Sequence, residues 1–237
     1  VGGWFTQALY NKVVPNRNSF YSWASFVTAY ENVAAIRGLN ADKFLAEGST
    51  DQRKKEAAAF FANIAKETGR GSATSGLHHI KETCAPCSGS YSGGNSNFGT
   101  PVQGQYYYGR GPFQLTWASN YGWFSDVYFG NGQKLLSDPD LVHEDPVVAW
   151  AAAIWYWNKE DNWGSMPSSL HDIIINGGDY EGIVGFGGTI KSINGAIECS
   201  QSNNSFAVAR GNYYKQLQSL LGVSNIDAAN LSCAGGW

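Results

Sequence analysis

Charged residues are scarce in this sequence, and the two signs nearly cancel. Asp, Glu, Lys and Arg make up 15% of the 237 residues, and the formal net charge is −3. A nucleic-acid-binding chain usually carries a basic face that supplies most of its affinity for phosphate. The charge balance therefore argues against nucleic acid as a partner, and equally against an anionic membrane surface.

Long hydrophobic runs are also missing. The longest apolar segment, residues 147–157, falls well short of the roughly 20 residues that a membrane-spanning helix needs. The sequence starts at Val1 without Met and shows no signal peptide. We therefore expect a mature or trimmed form of the protein, acting as a monomer.

Cysteine is limited to four residues: Cys84, Cys87, Cys199 and Cys233. One Cys-x-x-Cys pair without a second close pair does not make a four-ligand zinc site. The sequence accordingly implies no metal and no cofactor. An even number of cysteines, in a chain rich in Asn, Gly and Ser, is typical of an oxidising compartment, so we expect a secreted, extracellular protein.

Aromatic residues, in contrast, are abundant, with 9 Trp, 13 Tyr and 12 Phe. Most of these rings are expected in the core. Flat aromatic side chains also stack on the C–H faces of sugars, so some of them are candidates for lining a carbohydrate groove. Composition alone leaves both interpretations open.

Helical patterns dominate the chain. Residues 49–52 (STDQ) form a capping box at the start of a helix that Gly69 ends, and Asp145-Pro146 starts a helix that is apolar on every side. Further helices are predicted from Ser19 and from Asn203 or Asn204. Residues 69–76 and 88–104 read as loops, and residues 185–188 (GFGG) as a tight bend or a close approach of backbones. We predict one mainly α domain over residues 1–237, with long loops and at most a small β-hairpin.

Glu67 lies at an unusual position for a carboxylate. It shares a helix face with Phe60 and Ile64, and it lies in the last turn, near the negative end of the helix dipole. Both effects disfavour the ionised form, which is what a general acid requires. The alternative is a buried structural Glu that pairs with Arg or Lys.

Glu82 is the next acid along the chain and the only one between Glu67 and Asp126. It is either a solvated surface residue or the second carboxylate of a glycosidase pair, of which one protonates the leaving oxygen and the other activates water or attacks the sugar. Residues 106–117 (YYYGRGPFQLTW) then place Gln114 and Thr116 beside Tyr and Trp, with Asn120 shortly after. Neutral hydrogen-bonding groups among aromatic rings suit uncharged sugars, although an aromatic-rich turn explains the segment equally well.

At these residues the sequence resembles the family 19 glycoside hydrolases, plant and bacterial chitinases with a bilobal, lysozyme-like helical fold. The resemblance covers nearly the whole chain. Its segments are residues 66–69 (KETG), similar to the family's His-Glu-Thr-Gly, residues 107–116 (YYGRGPFQLT), residues 138–139 (DP), 145–150 (DPVVAW) and 155–157 (WYW), residues 186–199 (FGGTIKSINGAIEC), and residues 231–233 (LSC).

The resemblance implies an endochitinase that hydrolyses β-1,4 linkages between N-acetylglucosamine units with inversion, in a groove between two lobes. Glu67 would be the general acid, Glu82 the general base, and Thr116 would hold the attacking water. The implied sugar-binding residues are Tyr107, Gln114, Trp117, Asn120 and Asn194. Glu198 and Arg210 would lie near the base and keep Glu82 ionised, and Cys199–Cys233 would be the C-terminal disulfide.

Three features depart from the family pattern. Lys66 replaces the usual His, although adjacent helix residues point apart. The loop between Glu67 and Glu82 is longer than in bacterial members. Cys84 and Cys87 match no family disulfide, and they are predicted to pair with each other across a strained two-residue loop.

Two other functions compete with this one. A non-catalytic chitin-binding lectin would use the same scaffold without turnover, and a lysozyme-like hydrolase would act on peptidoglycan, which also contains N-acetylglucosamine. The presence of both carboxylates and Thr116 favours an enzyme that acts on chitin or chitooligosaccharides.

Overall fold

The computed structural model describes residues 1–84, 89–93, 97–160, 168–201 and 204–233. Within these ranges the chain forms ten α-helices, one 3-10 turn and one antiparallel hairpin. The helices are α1 Gln7–Val13, α2 Trp23–Ala34, α3 Thr50–Thr68, α4 Ala118–Phe129, α5 Gln133–Ser137, α6 Leu141–Glu144, α7 Pro146–Asn158, α8 Leu170–Ile175, α9 Gly185–Glu198 and α10 Ser205–Leu221. The 3-10 turn covers Ala41–Lys43, and the strands are β1 Asp179–Tyr180 and β2 Ile183–Val184. The predicted mainly α fold with a small hairpin is confirmed.

Helix α7 runs through the core, as its apolar sequence predicts. Asp145 caps its first turn, where Oδ1 accepts the backbone N–H of Val147 at 2.8 Å. Trp150, Trp155 and Trp157 of this helix are fully buried. Trp150 and Trp157 pack against aromatic rings of α2 and α3, and Trp155 packs against those of α4, in one hydrophobic cluster. This cluster forms the rigid base under the site described below.

Helix α3 carries the predicted capping box. The Ser49 hydroxyl accepts the Gln52 N–H, and the Gln52 side chain accepts the Ser49 N–H at 2.9 Å. Gly69 ends the helix because a β-carbon there would lie 2.2 Å from the carbonyl oxygen of Ala65. The chain therefore turns away directly after the last helical turn and leaves Glu67 at the edge of the core.

Helix α2 begins later than predicted. Its cap is Ser22, whose hydroxyl accepts the Ser25 N–H at 3.0 Å, and the first helical residue is Trp23. Upstream, the Asn18 side chain accepts the Phe20 N–H and closes a turn. The prediction of a helix from Ser19 is therefore wrong by one turn, because this local turn competes with the helix. Asn204, one of the two predicted starts, caps α10.

The hairpin leads into α9, and the C-terminal tail packs against the start of that helix. A β-carbon at Gly187 would lie 2.2 Å from the carbonyl oxygen of Ser232, so the backbones approach each other closely there. The Cys199–Cys233 disulfide, with a Cα–Cα distance of 5.2 Å, joins the end of α9 to the same tail and confirms the predicted pair.

No helix in the described ranges is long and apolar enough to cross a membrane.

Candidate active site

A groove of about 490 Å³ contains both candidate carboxylates. Its walls come from the end of α3, from the extended segments around Glu82 and residues 110–117 before α4, from one face of α7 and from the second half of α9. Seven residues predicted for the site line it: Glu67, Glu82, Gln114, Thr116, Trp117, Asn120 and Asn194. Five further residues also line the groove and were not predicted as groove residues: Tyr91, Phe113, Tyr156, Ile193 and Ile197.

Glu67 reaches the groove from the last turn of α3. Its side chain is 19% exposed, and its Oε1 accepts a short hydrogen bond from Nη2 of Arg210. The carboxylate therefore pairs with an arginine, as the structural interpretation expected, and it also faces the groove. The pairing adds a positive charge that the helix pattern did not reveal. Glu67 consequently sits in a charged network rather than in a purely apolar pocket.

Arg210 joins Glu67 to Glu198, and this corrects the position expected for the pair. Glu198 accepts hydrogen bonds from Arg210 Nε at 2.9 Å and from Nη2 at 2.8 Å. Asn63 fixes the guanidinium from a third side through its carbonyl and side-chain oxygens, both at 3.2 Å. Arg210 and Glu198 were predicted beside Glu82, but α9 and α10 bring them to the end of α3 and hence to Glu67.

The buried Glu198 keeps its negative charge. Burial alone would raise its pKa, but the hydrogen bonds and charge of Arg210, with the Asn194 side-chain donor at 2.9 Å, lower the pKa overall. Burial would likewise lower the pKa of the enclosed Arg210, but the two carboxylates raise the pKa of its guanidinium overall. With both carboxylates ionised, the triad has a net charge of −1.

Glu82 is held by a short ladder of extended backbone. Its N–H donates to the Gly109 carbonyl at 2.9 Å, and Gly109 N–H donates back to the Glu82 Oε1 at 3.2 Å. Arg110 pairs with Lys81 on one side and with Leu115 on the other. Glu82 therefore follows the outer segment of the ladder on one side, and Thr116 follows the outer segment on the other side.

The residues after the ladder present polar groups to the groove. The Thr116 hydroxyl donates to the Gln114 carbonyl at 2.7 Å, so its oxygen lone pairs remain available to a water or sugar. The Asn120 side chain donates to the Thr116 carbonyl at 2.9 Å and leaves its own oxygen as an acceptor. Gln114 and Trp117 both have positive φ angles, 49° and 76°, so the backbone is strained where these side chains turn inward.

Trp117 places an exposed aromatic ring in the groove. Its side chain is 48% exposed, and the ring of Tyr91 stands edge-on to it at 5.2 Å. Tyr91 itself was not predicted, because it lies alone in a Gly- and Ser-rich loop. Together the two rings form an aromatic wall beside the amides of Gln114 and Asn120.

Tyr107 does not face the groove, and its prediction as a sugar-binding residue is corrected. Its side chain is fully buried. The hydroxyl donates to the Leu136 carbonyl at 2.7 Å and accepts the Val102 N–H at 2.9 Å. Since both functions of the hydroxyl are used by backbone groups, Tyr107 anchors the loop beneath the groove.

Helix α9 is kinked at a predicted groove residue. Asn194 has non-helical angles, φ −148° and ψ 33°, inside the helix. On the facing helix, the Tyr156 hydroxyl donates to the Ser192 carbonyl at 3.1 Å, two residues before the kink. The Tyr156 side chain thereby holds the segment that presents Asn194 to both Glu198 and the groove.

One of the departures noted in the sequence, Lys66, has a place in the structure. The Lys66 ammonium lies 3.9 Å from the ring centre of Phe206, so the two neighbouring side chains of α3 diverge as expected. Burial, then Arg210, lowers the pKa of Lys66. Cys87 lies outside the described residues, so the Cys84–Cys87 disulfide stays a prediction.

The comparisons with known proteins agree with this geometry. A family model described as Chitinase class I matches residues 5–233. Chitinase 5 of Oryza sativa subsp. japonica is 32% identical over 234 residues, which cover 96% of this chain and 68% of that protein. Endochitinase 3 of Nicotiana tabacum is also 32% identical, over 95% of this chain and 70% of its own length.

Solved structures give the same result. Chitinase C from Streptomyces griseus HUT6037 superposes with a TM-score of 0.76 at 36% identity, and the match covers 96% of each chain. A class IV family 19 chitinase from Zea mays superposes with a TM-score of 0.70 at 28% identity, again over 96% of each chain. The chain therefore belongs to the class I chitinase family, the family 19 glycoside hydrolases, and is a glycoside hydrolase with the lysozyme-like fold of that family.

Proposed function

We propose that this protein is an endochitinase that hydrolyses β-1,4 linkages between N-acetylglucosamine units with inversion at the anomeric carbon. Glu67 acts as the general acid and Glu82 as the general base. The observation that carries the proposal is that both carboxylates line one groove, together with Thr116 and an exposed tryptophan. An inverting glycosidase needs this arrangement of one acid and one base across a sugar-binding cleft.

The charge of the triad supports the choice of Glu67 as the acid. Glu198 is buried, accepts three donors and stays ionised, so it is not available as the proton donor. Glu67 is the member that faces the groove. It can therefore pass a proton to the leaving oxygen as the glycosidic bond breaks, and the guanidinium of Arg210 then stabilises the resulting carboxylate.

The ladder supports the choice of Glu82 as the base. The Gly109 N–H holds Oε1, so the orientation of the carboxylate is fixed before substrate arrives. Thr116, across the same ladder, has lone pairs free to accept a hydrogen bond from the attacking water. Glu82 removes a proton from that water as its oxygen bonds to the anomeric carbon from the face opposite the leaving group.

The test of the acid is Glu67→Gln, with Glu31→Gln on the exposed face of α2 as a matched control. We expect the Glu67→Gln variant to lose on the order of 10²–10⁴ in kcat on chitin oligomers while it still binds them by calorimetry. The control should keep its activity. Near-normal turnover by the Glu67→Gln variant would reject Glu67 as the acid. Binding by the unmodified protein without any product would instead indicate a lectin.

The base and the stereochemistry are tested together. Glu82→Ala should be nearly inactive, and added azide should restore bond cleavage by bonding to the anomeric carbon in place of water. The product should then be the α-glycosyl azide, and the unmodified enzyme should release the α-anomer first, as seen by proton NMR. A first product of β configuration would reject inversion. Clearing of bacterial walls without hydrolysis of colloidal chitin would indicate a peptidoglycan hydrolase.

We further infer that the protein is secreted and acts as a monomer. Chitin is an extracellular polymer, and a disulfide such as Cys199–Cys233 persists in oxidising compartments. Gel filtration of the purified protein tests the oligomeric state.

A further inference from the structure

A small charged cluster lies beside the ladder that carries Glu82. Arg110 is 2% exposed, and its Nε donates to Nδ1 of His143 at 3.2 Å. Its Nη2 donates to Asp140 at 2.5 Å. On the other side of the imidazole, Nζ of Lys81 lies 3.2 Å from Nε2. Lys81 immediately precedes Glu82, and Arg110 immediately follows Gly109, so His143 contacts both strands of the ladder next to the base.

The bond to Arg110 fixes the protonation state of His143. A guanidinium keeps its protons at all relevant pH values, so Nδ1 must supply the lone pair. In this bond the neutral imidazole carries its hydrogen on Nε2, so the Lys81 ammonium, which has no acceptor, lies beside Nε2 as a charge and makes no hydrogen bond there. A second proton on Nδ1 would point at the Arg110 N–H and break this bond. The contact therefore exists only while the imidazole is neutral.

Arg110 transmits this contact to the backbone. Its Nη1 donates to the carbonyl oxygens of Tyr106 at 2.8 Å and Tyr108 at 3.2 Å. Those two carbonyls lie in the segment that ends in Gly109, whose N–H holds Glu82. Any rotation of the guanidinium therefore displaces the donor that orients the carboxylate.

We propose that His143 is a positioning residue for the general base. Its neutral imidazole holds Arg110, which sets the backbone of residues 106–110 and with it the Glu82 carboxylate. This inference rests on the proposed role of Glu82. Oδ1 of Asp140 and both imidazole nitrogens already contact the cations Arg110 and Lys81, so the cluster acts as a clamp on the ladder.

Acidification should release this clamp. The charged groups around the imidazole are Lys81, Arg110, Asp138, Asp140 and Glu144. Burial lowers the pKa of His143, and the positive charges of Lys81 and Arg110 lower it further. The negative charge of Asp140 raises the pKa and offsets part of this effect. Once protonated, the imidazolium would lie between the cations Lys81 and Arg110, and its Nδ1–H would turn from Arg110 toward the Asp140 carboxylate, whose Oδ1 is 3.7 Å away, so the bond to Arg110 would be lost. The acid side of the activity profile should therefore contain a contribution from His143 besides that of Glu82.

The experiment compares His143→Ala and His143→Asn in the full chain. Asn places an amide oxygen near the position of Nδ1 and cannot be protonated, whereas Ala removes the acceptor. His78→Asn is the matched control, since it removes an imidazole that contacts His79 and lies away from the ladder. For each protein, kcat and KM on chitin oligomers are measured across the acid and neutral range.

We expect His143→Ala to lose on the order of tenfold in kcat with KM little changed. His143→Asn should retain kcat near neutral pH and keep activity to lower pH than the unmodified enzyme. The control should behave like the unmodified enzyme. Should His143→Ala fail to fold, as judged by thermal melting, the acid side of the His143→Asn profile decides the matter.

Three results would overturn the inference: normal kcat in His143→Ala, equal losses in His143→Ala and His143→Asn, or the same acid limb in His143→Asn and the unmodified enzyme. Glu82→Ala with azide is measured in parallel. Normal activity of that variant would reject Glu82 as the base, and the inference with it. Azide rescue together with unaffected His143 variants would reject the positioning role alone.

Discussion

Gly109 lies so close to Glu82 that a β-carbon at position 109 would be 3.0 Å from the Oε1 atom of the carboxylate. The same β-carbon would be 2.9 Å from the Cβ of Gln114. The glycine thus leaves room for the carboxylate to receive the Gly109 N–H. A glycine at position 109, within residues 107–116, therefore has a steric reason that can be tested directly.

Gly109→Ala should displace the Glu82 carboxylate and the neighbouring Gln114. We expect kcat on chitin oligomers to fall by roughly 10²-fold, because a shift of about 1 Å in a catalytic group has this effect. Gly89→Ala is the control, since a β-carbon there would meet only Tyr91, at 3.9 Å. Equal activity of the two variants would contradict the steric role.

Glu198→Gln removes one negative charge from the triad and keeps an oxygen for Asn194. Arg210 would then act on Glu67 alone and favour its ionised form. The basic limb of the kcat profile should therefore move to lower pH, and the free energy of unfolding should fall by about 2 kcal/mol. Glu181→Gln, which disrupts an exposed pair with Lys191, should change neither quantity. A basic limb that stays in place would show that Glu198 does not act on the acid.

His171 should make stability depend on pH on the alkaline side. Burial would lower its pKa, but the bonds and charges of Glu56 at 2.6 Å and Glu47 at 2.9 Å raise it to about 9. Its folded pKa lies above the ordinary value near 6.5, so the stabilisation is complete below that pH and is lost as the pH rises through about 9. The shift corresponds to about 3 kcal/mol.

The measurement is urea unfolding of the native protein and of His171→Gln at several pH values. The difference in unfolding free energy between the two should be largest below about pH 6.5, should shrink as the pH rises from there, and should be lost by about pH 9. His78→Gln serves as the control and should follow the native curve. A difference that does not change with pH would mean that His171 stabilises the fold without being charged.

Trp117→Ala should weaken substrate binding more than it slows the chemical step. The exposed ring lies in the groove, and loss of one stacked ring costs about 1 kcal/mol, or several-fold in KM. Tyr106→Ala removes a ring of similar exposure, 40%, that does not line the groove. Kinetics on a series of chitin oligomers would check this, and an unchanged KM would exclude Trp117 from the sugar-binding surface.

Local signals predicted the elements of the fold well. The capping box at Ser49 and the helix start at Asp145-Pro146 each depend on hydrogen bonds within one helical turn. The spacing of residues in the sequence is therefore enough to predict both helix starts. Ser19 failed as a cap because Asn18 forms a competing turn that ends just before Ser22. Tyr156 was hidden in a segment that reads as apolar on every side, although one face of that helix opens to the groove.

The sequence predicted most of the residues that line the groove, but it did not predict which of their side chains contact each other. Glu67 and Arg210 are 143 positions apart, and no local pattern reveals that α10 brings the guanidinium to the acid rather than to the base. Tyr107 was misassigned because it lies in residues 107–116, where neighbouring side chains point to opposite sides of the backbone. Its burial is decided by Leu136 and Val102, which only the folded chain brings to the hydroxyl.

The Cys199–Cys233 bond has a consequence for the acid. It closes a loop of 34 residues that contains Arg210, and Glu198 directly precedes its first cysteine. By chain entropy, such a crosslink is worth about 4 kcal/mol against unfolding. Thiol reductants should therefore act on the site from a distance: by breaking the covalent link between α9 and the tail, they would weaken the contacts of Arg210 and Glu198 with Glu67, the proposed acid, without reacting with any groove residue.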